Sequence, residues 1–386
     1  FLVTGVGLPL LAVITIGRVG DLETLAGRVH PVFGIVFTTI IYFAIGPFFG
    51  IPRTATVTYE VGVLPFLSGS MTQSFLPLWL SLNPSKLIDR IGKIITPSLL
   101  IVLTFLVAKS FITPLGPIKN PTEAYETNSF FNGFIEGYLT MDTIGGLVFG
   151  IVVISAIKHL GITNQKDITK TVSLAGVIAS VGLILVYLSL TYIGATSVSE
   201  VGYYDNGGTI ISEVTQVLFG SVGSIILSVT ITLACLTTSV GLISACSQYF
   251  CKMVPALSYR KVVYILSIFS MLIANVGLST LISVSLPVLT FIYPLAITLI
   301  LLSFLHNYFN GYSSVYVGGM FATGLISLLE SVMNAGYSLG NIGNLVSSIP
   351  LSAQGIGWLI PAIIGSVIGF VYATISEKNT EATTID

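Results

Sequence analysis

Charge is what this sequence has least of. Asp, Glu, Lys and Arg make up 8% of its 386 residues, where a soluble domain carries about 25%. Water cannot be the main solvent of such a chain. The formal net charge is −1, so no excess of either sign points to nucleic acid or to a polyanionic partner. Cysteine is limited to Cys235, Cys246 and Cys251 without a CxxC pair, which argues against a disulfide framework or a zinc site. The three histidines, His30, His159 and His306, each stand alone near a loop. Enzymatic chemistry has as little to rest on. Tyr204-Asp205 could be half of an aspartyl-protease pair, but it falls in a loop, no GxGD partner exists, and no Ser/His pair lies at membrane depth. The chain reads as a non-enzyme with no cofactor and no required protein partner.

What is present is apolar: 53% hydrophobic residues and a mean hydropathy of +0.96. A bilayer core takes about 20 mostly apolar residues per helix. Eleven segments qualify: 1–17, 31–61, 65–82, 94–111, 130–157, 171–195, 213–250, 261–279, 282–305, 313–333 and 354–374. The expectation is an all-α polytopic membrane protein, one transmembrane domain over 1–386, with 375–386 as its tail. Segments 31–61 and 213–250 are too long for a simple span and must tilt or extend beyond the bilayer. The chain opens FLVTGVGLPLLAVITIG, already inside an apolar run, without an initiator Met or the basic start of a signal peptide. That opening predicts an N-terminal truncation.

Lys and Arg set the orientation. Taking alternate loops as one side places every basic residue there except Arg53, Lys109 and Lys119. That side is the cytoplasmic one, so the first span enters from outside and the C-terminus is cytoplasmic. Eleven spans with this ending imply a missing first helix and an even twelve. Lys86, Asp89, Arg90 and Lys93 form an amphipathic cytoplasmic connector. The outer side carries longer loops, 112–128 and 194–208, the second with the turn signal Asp205-Asn206-Gly207-Gly208.

In lipid, a helix is broken at membrane depth only where it lines a cavity, and transporters use the freed backbone groups to bind substrate and ion. EGYLTMDTIGGLVFGIVV (136–153) places Asp142 in an apolar stretch beside several glycines. A carboxylate at a helix centre costs about 2.5–3.5 kcal/mol on insertion scales, so it needs a partner or a wet cavity. Either Tyr138–Asp142 is an unwound segment lining a substrate site, or the helix starts later and Glu136 and Asp142 are acids near its outer N-terminus. GPFFGIPRTATVTYEVG (46–62) is interrupted by two prolines, and carries Arg53 and Glu60 on one helical face, better placed for other helices than for each other. In LACLTTSVGLISACSQYF (233–250), Ala234, Thr237 and Thr238 put a carbonyl and two hydroxyls at one level. They suit a hard cation if another helix helps, or the hydroxyls bond back to their own helix. Pro287 and Pro294 mark a kink or hinge in 282–305.

These segments, with LNPSKLIDRIGK and LPVLTFIYPLAI, resemble in order the signature segments of the bacterial branched-chain amino-acid:cation symporters. The resemblance runs from residue 1 to the final span. It implies uptake of leucine, isoleucine and valine across the inner membrane with Na⁺ or H⁺. It also implies twelve helices in the 5+5 inverted repeat of the leucine-transporter fold, of which eleven are present here. In that fold the first, third, sixth and eighth helices line the site, which selects 31–61, 130–157 and 213–250. A conserved sodium site there takes a carbonyl and two hydroxyls at A-x-x-T-[ST] spacing, matched by Ala234, Thr237 and Thr238. Tyr138, Thr140, Met141 and Asp142 would then face the amino acid's charged ends. Phe48, Phe49 and Leu242 would line its side-chain pocket, and Arg53 and Glu60 would serve as gating or structural charges.

Overall fold

The computed structural model describes residues 1–64 and 84–383. The proposed span 65–82 lies outside them, as do the side chains of the 86–93 connector. Among the described residues the only regular structure is helix. A π-helical turn (Val3–Gly7) leads into α1 (Leu8–Val19), followed by α2 (Leu22–Gly27) and α3 (Pro31–Phe43). The chain continues through a second π turn (Ala44–Phe48) into α4 (Gly50–Val57) and a third π turn (Thr58–Val63). Then come α5 (Pro84–Ile112), α6 (Glu123–Glu126), α7 (Ser129–Glu136) and α8 (Asp142–His159). The long helices α9 (Gln165–Val201) and α10 (Gly207–Met253) follow. The remainder is α11 (Tyr259–Ala274), α12 (Leu278–Leu305), α13 (Ser313–Asn334), α14 (Gly340–Ser347) and α15 (Leu359–Thr383).

Among the described residues, seven helical stretches are long and apolar enough to cross a bilayer, and Val3–Val19 and Pro97–Ile112 are shorter apolar helices. The chain is therefore a multi-pass membrane protein. Helix α9 illustrates its solvent: Leu174, Ile178 and Leu185 are each more than half exposed, a surface that only lipid tolerates over such a length. Both over-long segments are interrupted rather than merely tilted. Gly46 is non-helical (φ −87°, ψ −114°) within the 31–63 run, and Gly220 (φ 60°, ψ −157°) within α10.

The chain divides into two compact units. The first comprises 1–41, 122–181 and 284–386, the second 42–121 and 182–283. In the first, small residues let helices approach closely, the usual basis of packing in lipid. A Cβ on Gly146 of α8 would meet Ala12 Cβ at 3.1 Å, and one on Gly150 would meet Ile16 at 2.7 Å. Gly318 and Gly365 likewise bring α13 and α15 into backbone contact, and Ser314 Oγ donates to the Gly369 carbonyl at 2.8 Å. In the second unit, hydroxyls join the elements: Ser228 donates to the Val61 carbonyl at 2.8 Å, and Thr54 bonds Ser239. Tyr42 stacks on Tyr249 with ring centroids 4.1 Å apart.

Candidate functional site

In the first unit, α7 tightens into a 3₁₀ turn at Gly137–Thr140, and the helix breaks at Met141, which is left-handed at φ 60°, ψ 10°. Helix α8 then starts afresh with Asp142 in its first turn. The surroundings supply partners for the backbone groups that a break releases. Thr4 Oγ1 donates to the Phe134 carbonyl at 2.8 Å, Thr143 Oγ1 to the Thr4 carbonyl at 3.2 Å, and Thr140 Oγ1 to the Gly137 carbonyl at 2.9 Å. The Thr140 hydroxyl also accepts from the Asp142 N–H at 3.3 Å. Gly137 is required for contact, since a Cβ there would collide with the Thr4 hydroxyl. Tyr138, Thr140, Met141 and Asp142 thus share one irregular segment, with Tyr138 and Met141 buried.

The same unit contains a cavity of about 730 Å³, lined by Ile135 and Glu136 from α7, Leu286 and Thr290 from α12, and Glu330 from α13, among others. Ser352 Oγ donates to Glu330 Oε1 at 3.2 Å. Tyr125, at the cavity edge, has its phenol pushed up by burial and by the Glu136 carboxylate. Glu330 was open to the test that singled out Asp142, a carboxylate inside an apolar span, and is the acid that sequence reading missed. Tyr293 of α12 was missed as well: it stacks on Tyr138 with ring centroids 4.4 Å apart and an interplanar angle of 20°. No sequence signal marks that pairing.

The other sequence-selected residues belong to the second unit. At the Gly46 kink the backbone passes so close to α10 that a Cβ would lie 2.6 Å from Cys246 Sγ. Leu242 is buried and reaches this bend, where a Cβ on Gly50 would be 3.2 Å from its Cδ1. Phe49 is buried, but Phe48 is 41% exposed and packs among Phe43 and Phe269, with centroids at 5.8 and 5.3 Å. Thr237 and Thr238 both donate to the Ala234 carbonyl, at 2.8 and 3.0 Å. Three oxygens therefore meet at one level of α10, with the two hydroxyls turned onto the carbonyl. Glu60 Oε1 accepts from the Leu278 N–H at 3.3 Å, capping the start of α12, so its partner is another helix rather than Arg53. Arg53 lies in α4, where its carbonyl accepts from Thr56. Glu60 and Glu213 line a second cavity of about 460 Å³ that spans the Gly220 break.

Comparison with known proteins gives the arrangement its setting. The family model for branched-chain amino acid transport proteins matches residues 1–376. The branched-chain amino acid permease BraB of Bacillus subtilis (strain 168) is 47% identical over 383 residues, which cover 96% of this chain and 86% of that protein. The branched-chain amino acid transport system 2 carrier protein of Pseudomonas aeruginosa is 43% identical, covering 99% and 89%. The permease BrnQ of Escherichia coli (strain K12) is 40% identical, covering 96% and 86%. These are transport proteins, not enzymes. With a family match across nearly its full length and a broken helix inside an apolar, multi-pass fold, the chain belongs to the branched-chain amino acid transport protein family.

Proposed function

We propose that this chain is a secondary active importer of leucine, isoleucine and valine, working by alternating access and driven by Na⁺. The observation that carries the reading is the helix break at Met141. It is irregular backbone within a transporter family's apolar chain, where such backbone serves to bind solute. The amino acid's charged ends face Tyr138, Thr140 and Asp142 of the first unit. An apolar pocket separates substrates by only about 1–3 kcal/mol per methylene, so the three amino acids compete. Ala234, Thr237 and Thr238 hold Na⁺ once the two hydroxyls rotate off the carbonyl. One net charge moved through 100 mV supplies about 2.3 kcal/mol, roughly fiftyfold accumulation.

The order in which the chain supplies its two units favours a 5+5 inverted repeat: 1–41, then 42–121, then 122–181, then 182–283. These four pieces alternate between the units, as two successive repeats would, and 284–386 returns to the first unit. We place the protein in the bacterial inner membrane with its C-terminus cytoplasmic, on the basic-residue asymmetry described above. Proton coupling is the second reading, favoured by Asp142 in the first turn of α8.

The test is uptake of radiolabelled leucine into proteoliposomes under an inward gradient of Na⁺ or of H⁺ alone. Concentrative uptake only with Na⁺, abolished by Thr238→Ala, is the expected result. Uptake on the proton gradient alone, lost in Asp142→Asn, would move coupling to the carboxylate. No uptake under either gradient would sink the import reading.

A further inference from the structure

The broken-helix segment carries polar atoms that the protein itself leaves unused. Tyr138 and Tyr293 are 1% and 0% exposed, and Trp358 is 3% exposed. Neither phenol hydroxyl, nor the Trp358 Nε1, reaches hydrogen-bonding geometry with any protein group. Polar neighbours are at hand: the Tyr138 hydroxyl lies near the Trp358 indole, and the Tyr293 hydroxyl near Thr140 and Thr143. Buried polar groups are nearly always paired, and each exception asks for an explanation. Packing is not one. Phenylalanine would keep the 4.4 Å ring stack between α12 and the 3₁₀ turn and leave no orphaned hydroxyl.

Position suggests what the hydroxyls are for. Tyr138 precedes Met141 by three residues in the segment that breaks, and Tyr293 approaches Thr140, Asp142 and Thr143 from α12. Three residues before each tyrosine in the chain, Ile135 and Thr290 line the 730 Å³ cavity, so the pair sits about one helical turn along from its wall. We infer that Tyr293, with Tyr138, is a substrate-binding residue, its phenol hydroxyl donating to the carboxylate of the transported amino acid. This rests on the break at Met141 being the substrate site. A carboxylate is the strongest acceptor that an apolar amino acid offers, and charge-assisted hydrogen bonds to it are the strong ones. Asp142, beside Tyr293, is then placed to face the ammonium group of the same molecule.

Tyr293→Phe separates this role from a structural one, because removing an unpaired buried hydroxyl should not harm the empty protein. The intact protein and the variant are compared in two measurements: melting temperature with and without leucine, and the kinetics of leucine uptake in proteoliposomes. The expected variant melts at or above the wild-type temperature without leucine. Its KM for leucine rises about tenfold, the size of effect expected for one hydrogen bond to a charged group, and Vmax stays within about twofold. Tyr138→Phe should behave alike. An unchanged KM would overturn the inference. A lowered melting temperature with unchanged KM would instead show a structural hydroxyl, satisfied by an ordered water. If the unsubstituted protein neither transports leucine nor gains stability from it, the substrate reading fails and the inference fails with it.

Discussion

Helix α10 is interrupted at a glycine, and the α7–α8 pair at a methionine. Gly220 adopts φ 60°, ψ −157°, a region that in practice only glycine enters. Met141 takes φ 60°, ψ 10° with its side chain buried, and left-handed backbone costs a non-glycine residue roughly 1–2 kcal/mol. The first break relies on the residue's freedom. The second is imposed on a residue that resists it, and persists only because the surroundings over-determine it. Those surroundings are visible: the Thr4 and Thr140 hydroxyls take up backbone groups, and the Tyr138–Tyr293 stack fixes the turn before the break. A strained conformation held by tailored contacts marks a site where geometry matters more than local stability. That contrast favours the Met141 break over the Gly220 break as the place where solute is recognised.

The strongest way to test the contrast is to remove the freedom at Gly220. Gly220→Val puts a β-branched residue at a positive φ, at a cost of about 1–3 kcal/mol. The expected result is a clear drop in folded yield and in melting temperature, measured by size exclusion after heating. Leucine-dependent stabilisation of the surviving folded fraction should be unchanged. Full stability in the variant would show that α10 does not need this break.

The sequence marked these two places unequally. Between Tyr138 and Asp142 a carboxylate and nearby glycines interrupted an apolar run, and bilayer physics makes such an interruption conspicuous. Gly220 left no trace beyond a segment too long to be simple, because one glycine among 39 carries little information. Helix limits were blurred for a related reason. Hydropathy reads only the apolar centre, so α9 was placed at 171–195 although its helix runs through the polar turns at Gln165–Lys170 and on to Val201. Phe48 and Phe49, grouped in the sequence, keep their ring centroids 6.3 Å apart, while Phe48 also packs on Phe43 and Phe269. Tyr293 was beyond sequence reasoning altogether, because its pairing with Tyr138 exists only once α12 is packed.

Relaxing the second break is the complementary test, with a smaller effect on stability. Met141→Gly removes the left-handed strain but also vacates a buried side chain, so the two changes partly offset. Thermal stability should fall by about 1–2 kcal/mol, less than vacating a buried methionine alone would cost. Recognition should suffer more: with glycine the break is no longer held in one conformation, and KM for leucine should rise several-fold. Parallel measurement of melting temperature and KM checks this. A variant that loses stability and keeps its KM would place Met141 in the same category as Gly220.

The smallest expected effect sharpens the comparison from within α10 itself. Thr237→Val keeps the shape of the side chain and removes its 2.8 Å bond to the Ala234 carbonyl. That carbonyl still accepts from the Thr238 hydroxyl at 3.0 Å, so no buried acceptor is orphaned. The cost should be under about 1 kcal/mol. If the hydroxyl only bonds back to its own helix, the small loss should be the same in sodium chloride as in choline chloride at equal ionic strength. If it also serves as a cation ligand, wild type should melt higher in sodium than in choline, because a bound ion stabilises the folded state by mass action. Thr237→Val should lose most of that difference. A melting series in the two salts separates the two roles without any transport assay. Its outcome decides whether α10 contributes only a glycine-permitted bend or also holds the ion whose gradient would drive uptake.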